Sequence, residues 1–136
     1  MKKTICLNMI VKDEIKNIRR LFKSLHKVVD YYVIHDTGST DGTQGLIKEV
    51  MGGYDISGEI IEEEWVNFGV NRQKALESVV NSKYNPDYLL WIDADEELYF
   101  KNLEWFNTLT KDCYNIKRVY GSIDYYNPHL IRVNNN

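Results

Sequence analysis

Cysteine is scarce in this chain, with two in 136 residues. Cys6 and Cys113 are too far apart for a zinc-ligand spacing and too few for a disulfide framework, which excludes a cysteine-stapled fold and points to a reducing compartment. Dense Lys/Arg clusters are missing as well, and the formal charge is −3 with a pI near 5.6. That balance excludes nucleic acid as a general partner, because nothing neutralises a run of phosphates. Long apolar runs are also lacking: after Lys2 and Lys3 the first is broken at Asn8 and Lys12. It is too short for a signal peptide or a membrane span, so the expected location is the cytoplasm, or a host cytoplasm if the AT-rich codon signature of Asn, Lys, Tyr and Ile is viral. There is no internal repeat, linker or low-complexity tract apart from the asparagines at 134–136.

What is present is a hydrophobic period that switches between two and three-to-four, the pattern of strands alternating with helices. Residues 4–11 read as a buried strand. From Asp13, the positions Ile15, Ile18, Leu21, Phe22 and Leu25 form one helical face, with Asp13 and Glu14 at the end where the macrodipole favours acids. Residues 31–35 read as a second strand, followed by the turn-rich 36–43 and a helix bearing Leu46, Ile47, Val50 and Met51 that Gly52 and Gly53 end. A weaker strand at 59–63 precedes a helix over 68–81, with Ala75, Leu76, Val79 and Val80 inward. Asn85, Pro86 and Asp87 turn into a strand that begins near Leu89. Four strands separated by helices imply right-handed crossovers, a largely parallel sheet in a single domain, and functional loops at the carboxyl ends of the strands. Later residues give a short helix near Leu103 and one or two aromatic-rich strands across 114–126.

The most informative stretch is 89–97, LLWIDADEE, where a buried apolar run stops at two carboxylates one residue apart. Strand alternation places Asp93 and Asp95 on one side. Carboxylates that close repel unless a cation or donors hold them, which suits a hard divalent ion and a phosphate-bearing ligand. Other sites fit poorly. The glycines at 38, 42 and 45 follow the second strand without dinucleotide-site spacing, and a calcium loop starting at Asp93 would meet Glu97 and Leu98 where it needs Asp or Asn and then Gly.

Four segments in order, CLNMIVKDE, VIHDTGSTDGT, NFGVNRQKALE and WIDADEEL, resemble the nucleotide-sugar-binding half of a family 2 glycosyltransferase. The resemblance implies an α/β fold of the GT-A nucleotide-diphospho-sugar transferase type, with residues 1–98 as the donor part and 99–136 as a short acceptor-side part. By that resemblance Ile10, Val11, Lys12 and Glu14 line the nucleoside pocket, although Glu14 reads equally as a helix start. Asp36, with Thr37 beside it, meets the base or ribose; a helix cap is the competing reading. Arg72 reaches toward the diphosphate, which a permanently charged fork suits. Asp95 ligates Mn²⁺ or Mg²⁺, Asp93 meets the ribose or the ion, and Ala94 lies between them.

The implied activity is metal-dependent transfer of a sugar from a nucleoside diphosphate sugar, a UDP-sugar, to an acceptor hydroxyl with inversion. The acceptor is a carbohydrate or another hydroxyl compound. A base must then take the acceptor proton. In relatives it lies beyond the acid strand; here Asp124 and His129 are the titratable candidates, within a segment YYNPHLIRV that resembles the strand framing the sugar pocket. The alternative is a nucleotide-sugar-binding module without transfer of its own. An exposed sheet edge on the short acceptor side would favour homo-oligomers.

Overall fold

The computed structural model describes residues 2–120 and 122–133. In chain order it forms β1 (Ile5–Val11), α1 (Ile15–Leu25), β2 (Tyr31–Asp36), α2 (Thr43–Gly53), β3 (Ser57–Glu62), α3 (Phe68–Val80), β4 (Tyr88–Trp91), a 3-10 turn (Leu103–Asn107), β5 (Cys113–Tyr120) and β6 (Ile123–Arg132). The six strands make one sheet in the order β3-β2-β1-β4-β6-β5. Pairings among β3, β2, β1 and β4 are parallel. β6 runs antiparallel to β4 and carries β5 as a hairpin at the edge. The mixed α/β sheet flanked by helices is the expected fold class.

Each face buries one cluster, and period-two alternation decides which residues go where. Ile5, Leu7 and Met9 of β1 join Ile34, Leu90 and Leu130 under α1 and α2. Cys6, Val33, Leu89 and Trp91 join Ala75 and Val79 of α3 on the opposite face. Cys6 is therefore core, and burial pushes its thiol up to about 12. Both cysteines are free thiols. No described helix is long and apolar enough to cross a membrane.

Asp13 and Glu14 stand at the N-terminal end of α1 as expected, Glu14 as the cap residue and Asp13 at φ +53° ahead of it. Two local expectations are corrected. Val80 is half exposed, because α3 presents Asn71, Ala75 and Val79, one every four residues, to the sheet. β4 stops at Trp91, and the Glu96 N–H donates to the Asp93 carbonyl at 3.0 Å, so the acids lie on a turn where strand alternation no longer applies. Pro128 falls inside β6, an interior strand, opposite Asn115 where the register with β5 shifts; a residue without an N–H is tolerated at such an irregularity.

Candidate functional site

The strand order defines a crevice. β2 and β3 lie on one side of β1 and β4 on the other, so the chain reverses direction across the sheet between β1 and β4. Ligands of open α/β sheets bind outside the carboxyl ends of the strands at such a switch point. The loop after β1 lies between the end of β2, with Asp36, and the acid turn at 93–97 after β4. Topology thus brings Ile10, Val11, Lys12, Glu14, Asp36, Thr37, Asp93, Ala94 and Asp95 to one edge of the sheet.

On the β2 side, Asp36 is 1% exposed. Its Oδ1 accepts the Gly38 and Ser39 N–H groups at 2.8 and 2.7 Å, which closes the turn at 36–39, while the cap residue of α2 is Gly42, so Asp36 is not that helix's cap. Among the described residues its buried Oδ2 finds no hydrogen-bond partner. A buried carboxylate oxygen left unpaired is costly, which makes it a ready acceptor for a ligand N–H or O–H. Around it the two loops are laced together. Asp13 N–H donates to Ser39 Oγ at 2.9 Å, Asp13 Oδ1 accepts Thr40 N–H at 2.8 Å, and Glu14 N–H donates to Thr43 Oγ1 at 2.9 Å. Asp41 accepts from the Ile15 and Thr43 N–H groups at 3.2 and 3.0 Å, so one carboxylate serves the starts of both α1 and α2. The side chain of Glu14 takes Asn17 Nδ2 at 2.8 Å, and Thr37 N–H closes on the Val11 carbonyl at 3.0 Å. Ile10 is half-buried, Val11 buried and Lys12 exposed.

The acid turn is built differently. Asp93 N–H donates to Glu96 Oε1 at 2.9 Å, and Ala94 is buried behind the acids. Arg20 of α1 donates to the Asp95 carbonyl at 3.1 Å and pairs with Glu97 at 3.3 Å. Arg118 of β5 pairs with Glu96 at 2.7 Å and lies 3.6 Å from Asp93 Oδ2. At this turn four carboxylates, Asp93, Asp95, Glu96 and Glu97, stand beside the guanidiniums of Arg20 and Arg118, and Lys117 lines the cavity beside them. Burial, then Glu96, holds the Asp93 carboxyl above its ordinary value against the opposing pull of Arg118, and Asp95 adds to the rise. Among the described residues no three His, Cys, Asp or Glu side chains form a ready metal cage. The hard oxygens of Asp93 and Asp95 do fit Mg²⁺ or Mn²⁺ bound through one or two carboxylates, with water and ligand phosphate completing the shell.

Arg72 sits in the first turns of α3 and stacks its guanidinium over the Trp91 ring, 4.6 Å from the centroid. Trp91 is the last residue of β4, so Arg72 sits above the strand that leads into the acid turn. Asn71 beside it is fully buried. Its Oδ1 accepts the Val66 and Asn67 N–H groups at 2.9 and 3.1 Å, and its Nδ2 donates to Glu63 and to the Glu64 carbonyl. Glu63 also meets His35 Nδ1 at 2.7 Å, and His35 Nε2 meets Ser78 Oγ at 2.8 Å. This buried chain fixes the arch before α3 and with it the base of Arg72.

The two proton-acceptor candidates differ. The side chain of Asp124 lies outside the described residues. His129 is buried, its Nδ1 donating to the Trp91 carbonyl, which leaves the lone pair on Nε2, a buried atom with no partner among the described residues. His129 also lines a cavity of about 480 Å³ together with Asp95, Glu96 and Arg118. Sequence reasoning missed Arg20, Arg118 and the Glu63–His35–Ser78 chain. Their partners are distant in sequence, and no local pattern marks them.

Comparison with known proteins gives this architecture a family. The sequence profile described as Glycosyl transferase family 2 matches residues 6–132, and the chain belongs to that family. An uncharacterized glycosyltransferase of Rickettsia felis is 30% identical over 90 residues, covering 66% of this chain and 28% of that protein. A TPR repeat-containing protein of Synechococcus elongatus is 30% identical over 95 residues, covering 69% of this chain and 21% of its own. The chain spans about a fifth to three tenths of the length of the curated relatives it matches. Among solved structures, S. aureus TarS 1-349 has the same fold, with a TM-score of 0.56 at 20% identity over 77% of this chain and 30% of that one. The structure of TarS 1-349 in complex with UDP aligns with a TM-score of 0.53 at 21% identity, over 68% of this chain and 27% of that one.

Proposed function

We propose that this chain is the donor-binding part of a glycosyltransferase that moves a sugar from a nucleoside diphosphate sugar, a UDP-sugar, to an acceptor hydroxyl with inversion, using Mn²⁺ or Mg²⁺. The observation that carries the reading is the pairing, across one switch point, of a buried Asp36 carboxylate oxygen without a partner among the described residues and a carboxylate-rich turn at 93–97. The first suits a nucleoside and the second suits a cation carrying a diphosphate, and the β1 loop separates them.

Each residue then has a task. Asp36 Oδ2 accepts a donor from the base or ribose, and Ile10, Val11, Lys12, Glu14 and Thr37 shape the pocket beside it. Asp95 and Asp93 hold the cation, which when bound offsets charge on the departing diphosphate. Arg72 adds donors to that diphosphate by leaving the face of Trp91, a stacking contact of about 1 kcal/mol that a charge-assisted bond to phosphate replaces. His129 Nε2 and Asp124 are the candidates for receiving the acceptor proton. In the domain organisation, residues 1–98 bind the donor and 99–136 begin the acceptor side.

The second reading is a nucleotide-sugar-binding module without transfer of its own. Hydrolysis or transfer assayed with candidate acceptors separates the two. The first experiment is a melting series with UDP, GDP, CDP and ADP, each with and without Mn²⁺. A ligand at about a thousand times its dissociation constant adds about 4 kcal/mol, an easily read shift. The expected result is a shift with UDP that requires Mn²⁺; no shift with any diphosphate would sink the proposal for the isolated chain.

A further inference from the structure

Arg118 was not among the residues that sequence reasoning assigned to the site, yet it reaches from the edge strand β5 across to the acid turn. Its Nε lies 2.7 Å from Glu96 Oε2, and its Nη2 lies 3.6 Å from Asp93 Oδ2. The contact is sheltered: the side chains of Arg118 and Glu96 are 26% and 19% exposed. Glu96 is itself fixed, since its other oxygen accepts the Asp93 N–H. A guanidinium fork therefore spans the two acids, firmly on Glu96 and loosely on Asp93.

We propose that Arg118 is the resident counter-cation of the acid turn and competes with the divalent ion for Asp93. The proposal rests on the reading of Asp93 and Asp95 as cation ligands. A divalent ion sits about 2.0–2.6 Å from a carboxylate oxygen, so an ion on Asp93 and a guanidinium on the same carboxylate repel each other at short range. Loading the ion displaces Arg118 from Asp93, while the 2.7 Å pair with Glu96 keeps the guanidinium close. The asymmetry of the two distances is what makes exchange possible. A fork seated equally on both acids would block the ion, and one seated on Glu96 alone would not compete. In this arrangement Arg118 keeps the turn ordered without the ion and sets a threshold for loading it.

The test is direct Mn²⁺ binding, read by electron paramagnetic resonance of the free ion, on the chain without nucleotide. Arg118→Ala should bind Mn²⁺ about three- to tenfold more tightly than the parent. Arg118→Lys should fall between them, because the charge remains while the fork that spans two acids is lost. Arg20→Ala is the control: it removes the same charge from the same turn, but from Glu97 and a carbonyl instead of Asp93. Its gain should be clearly smaller than that of Arg118→Ala. Equal gains would mean a general field effect and overturn the proposal. So would unchanged or weaker Mn²⁺ binding by Arg118→Ala. Should Arg118→Ala fail to fold by circular dichroism, Arg118→Gln carries the same comparison. If parent, Arg118→Ala and Asp95→Ala all fail to bind Mn²⁺, the cation reading has failed and takes this one with it. Parent binding that Asp95→Ala removes but Arg118→Ala leaves untouched sinks the Arg118 proposal alone.

Discussion

The two flanks of the crevice are held by different forces. On the β2 flank, Asp13, Asp36, Ser39, Asp41 and Thr43 are tied mostly to backbone N–H groups, at 2.7–3.2 Å. On the β4 flank, the acid turn is held by Arg20 and Arg118 through ion pairs to Glu97, Glu96 and Asp93. Hydrogen bonds to backbone depend on geometry and resist salt, whereas partly exposed ion pairs depend on the local charge balance and are screened. On the proposed reading, the nucleoside side is set in advance and the cation side responds to what binds. That division suits a site that reads a base by shape and a diphosphate by charge.

The largest effect that would break the comparison is expected at Asp95. Asp95→Ala should abolish Mn²⁺-dependent nucleotide binding and leave the melting temperature of the ligand-free chain nearly unchanged, since the Asp95 contact that holds the turn is its carbonyl. Retained Mn²⁺-dependent binding by this variant would remove the cation role. Next comes Asp36→Asn, which separates the two duties of that residue. The amide oxygen still accepts the Gly38 and Ser39 N–H groups, while an NH2 replaces the buried oxygen that has no partner among the described residues. Uridine and UDP should both weaken by about tenfold to a hundredfold, as for loss of a hydrogen bond to a charged group, with little change in melting temperature. A change in melting temperature alone would leave Asp36 only its turn.

Arg72→Ala should have a smaller and more selective effect. Isothermal titration should show UDP losing about tenfold while uridine loses little, because the proposed partner is phosphate. Equal losses for the two ligands would mean that the stack on Trp91 braces the pocket and that the guanidinium meets no phosphate.

Much of the β2 flank was legible in the sequence, and little of the way the β4 flank is held. Strands β1 to β4 and helices α1 to α3 follow from the hydrophobic pattern, because each helix buries one face against the sheet, the central strands are buried on both faces, and both signals are local. The turn-forming Gly38, Ser39, Thr40 and Asp41 were read for the same reason: their partners lie within a few residues or on the adjoining loop. The acid turn was found but its geometry was misjudged, since nothing in LLWIDADEE marks Trp91 as the last paired residue. Arg20 and Arg118 were invisible: one lies 75 residues from the carbonyl it holds, and the other reaches its acids from a neighbouring hairpin. Asn71 stands beside Arg72 in the sequence, where nothing marks it as buried. Its burial came from the arch at 63–67, whose shape no propensity encodes.

The smallest effect is also the one that sharpens the contrast most. Asp93 is half exposed, and its carboxyl is held above the ordinary value first by burial, then by Glu96 and Asp95, with Arg118 opposing. A carboxyl that binds its proton more tightly in the folded chain than in the unfolded one contributes stability below its unfolded pKa. That contribution is lost as pH rises through the folded pKa. At neutral pH without metal, the ionised Asp93 therefore works against folding. Asp93→Asn should raise the melting temperature of the metal-free chain slightly at pH 7, with the difference shrinking toward pH 3, where the parent carboxyl is protonated. Solvent screening at a half-exposed position keeps the gain small. The same variant should lose most of the Mn²⁺-induced stabilisation, so that the order of the two proteins inverts once the ion is added. No inversion, or a lower melting temperature without metal, would mean that Arg118 already offsets the charge on Asp93 and that the β4 flank is as preset as the β2 flank.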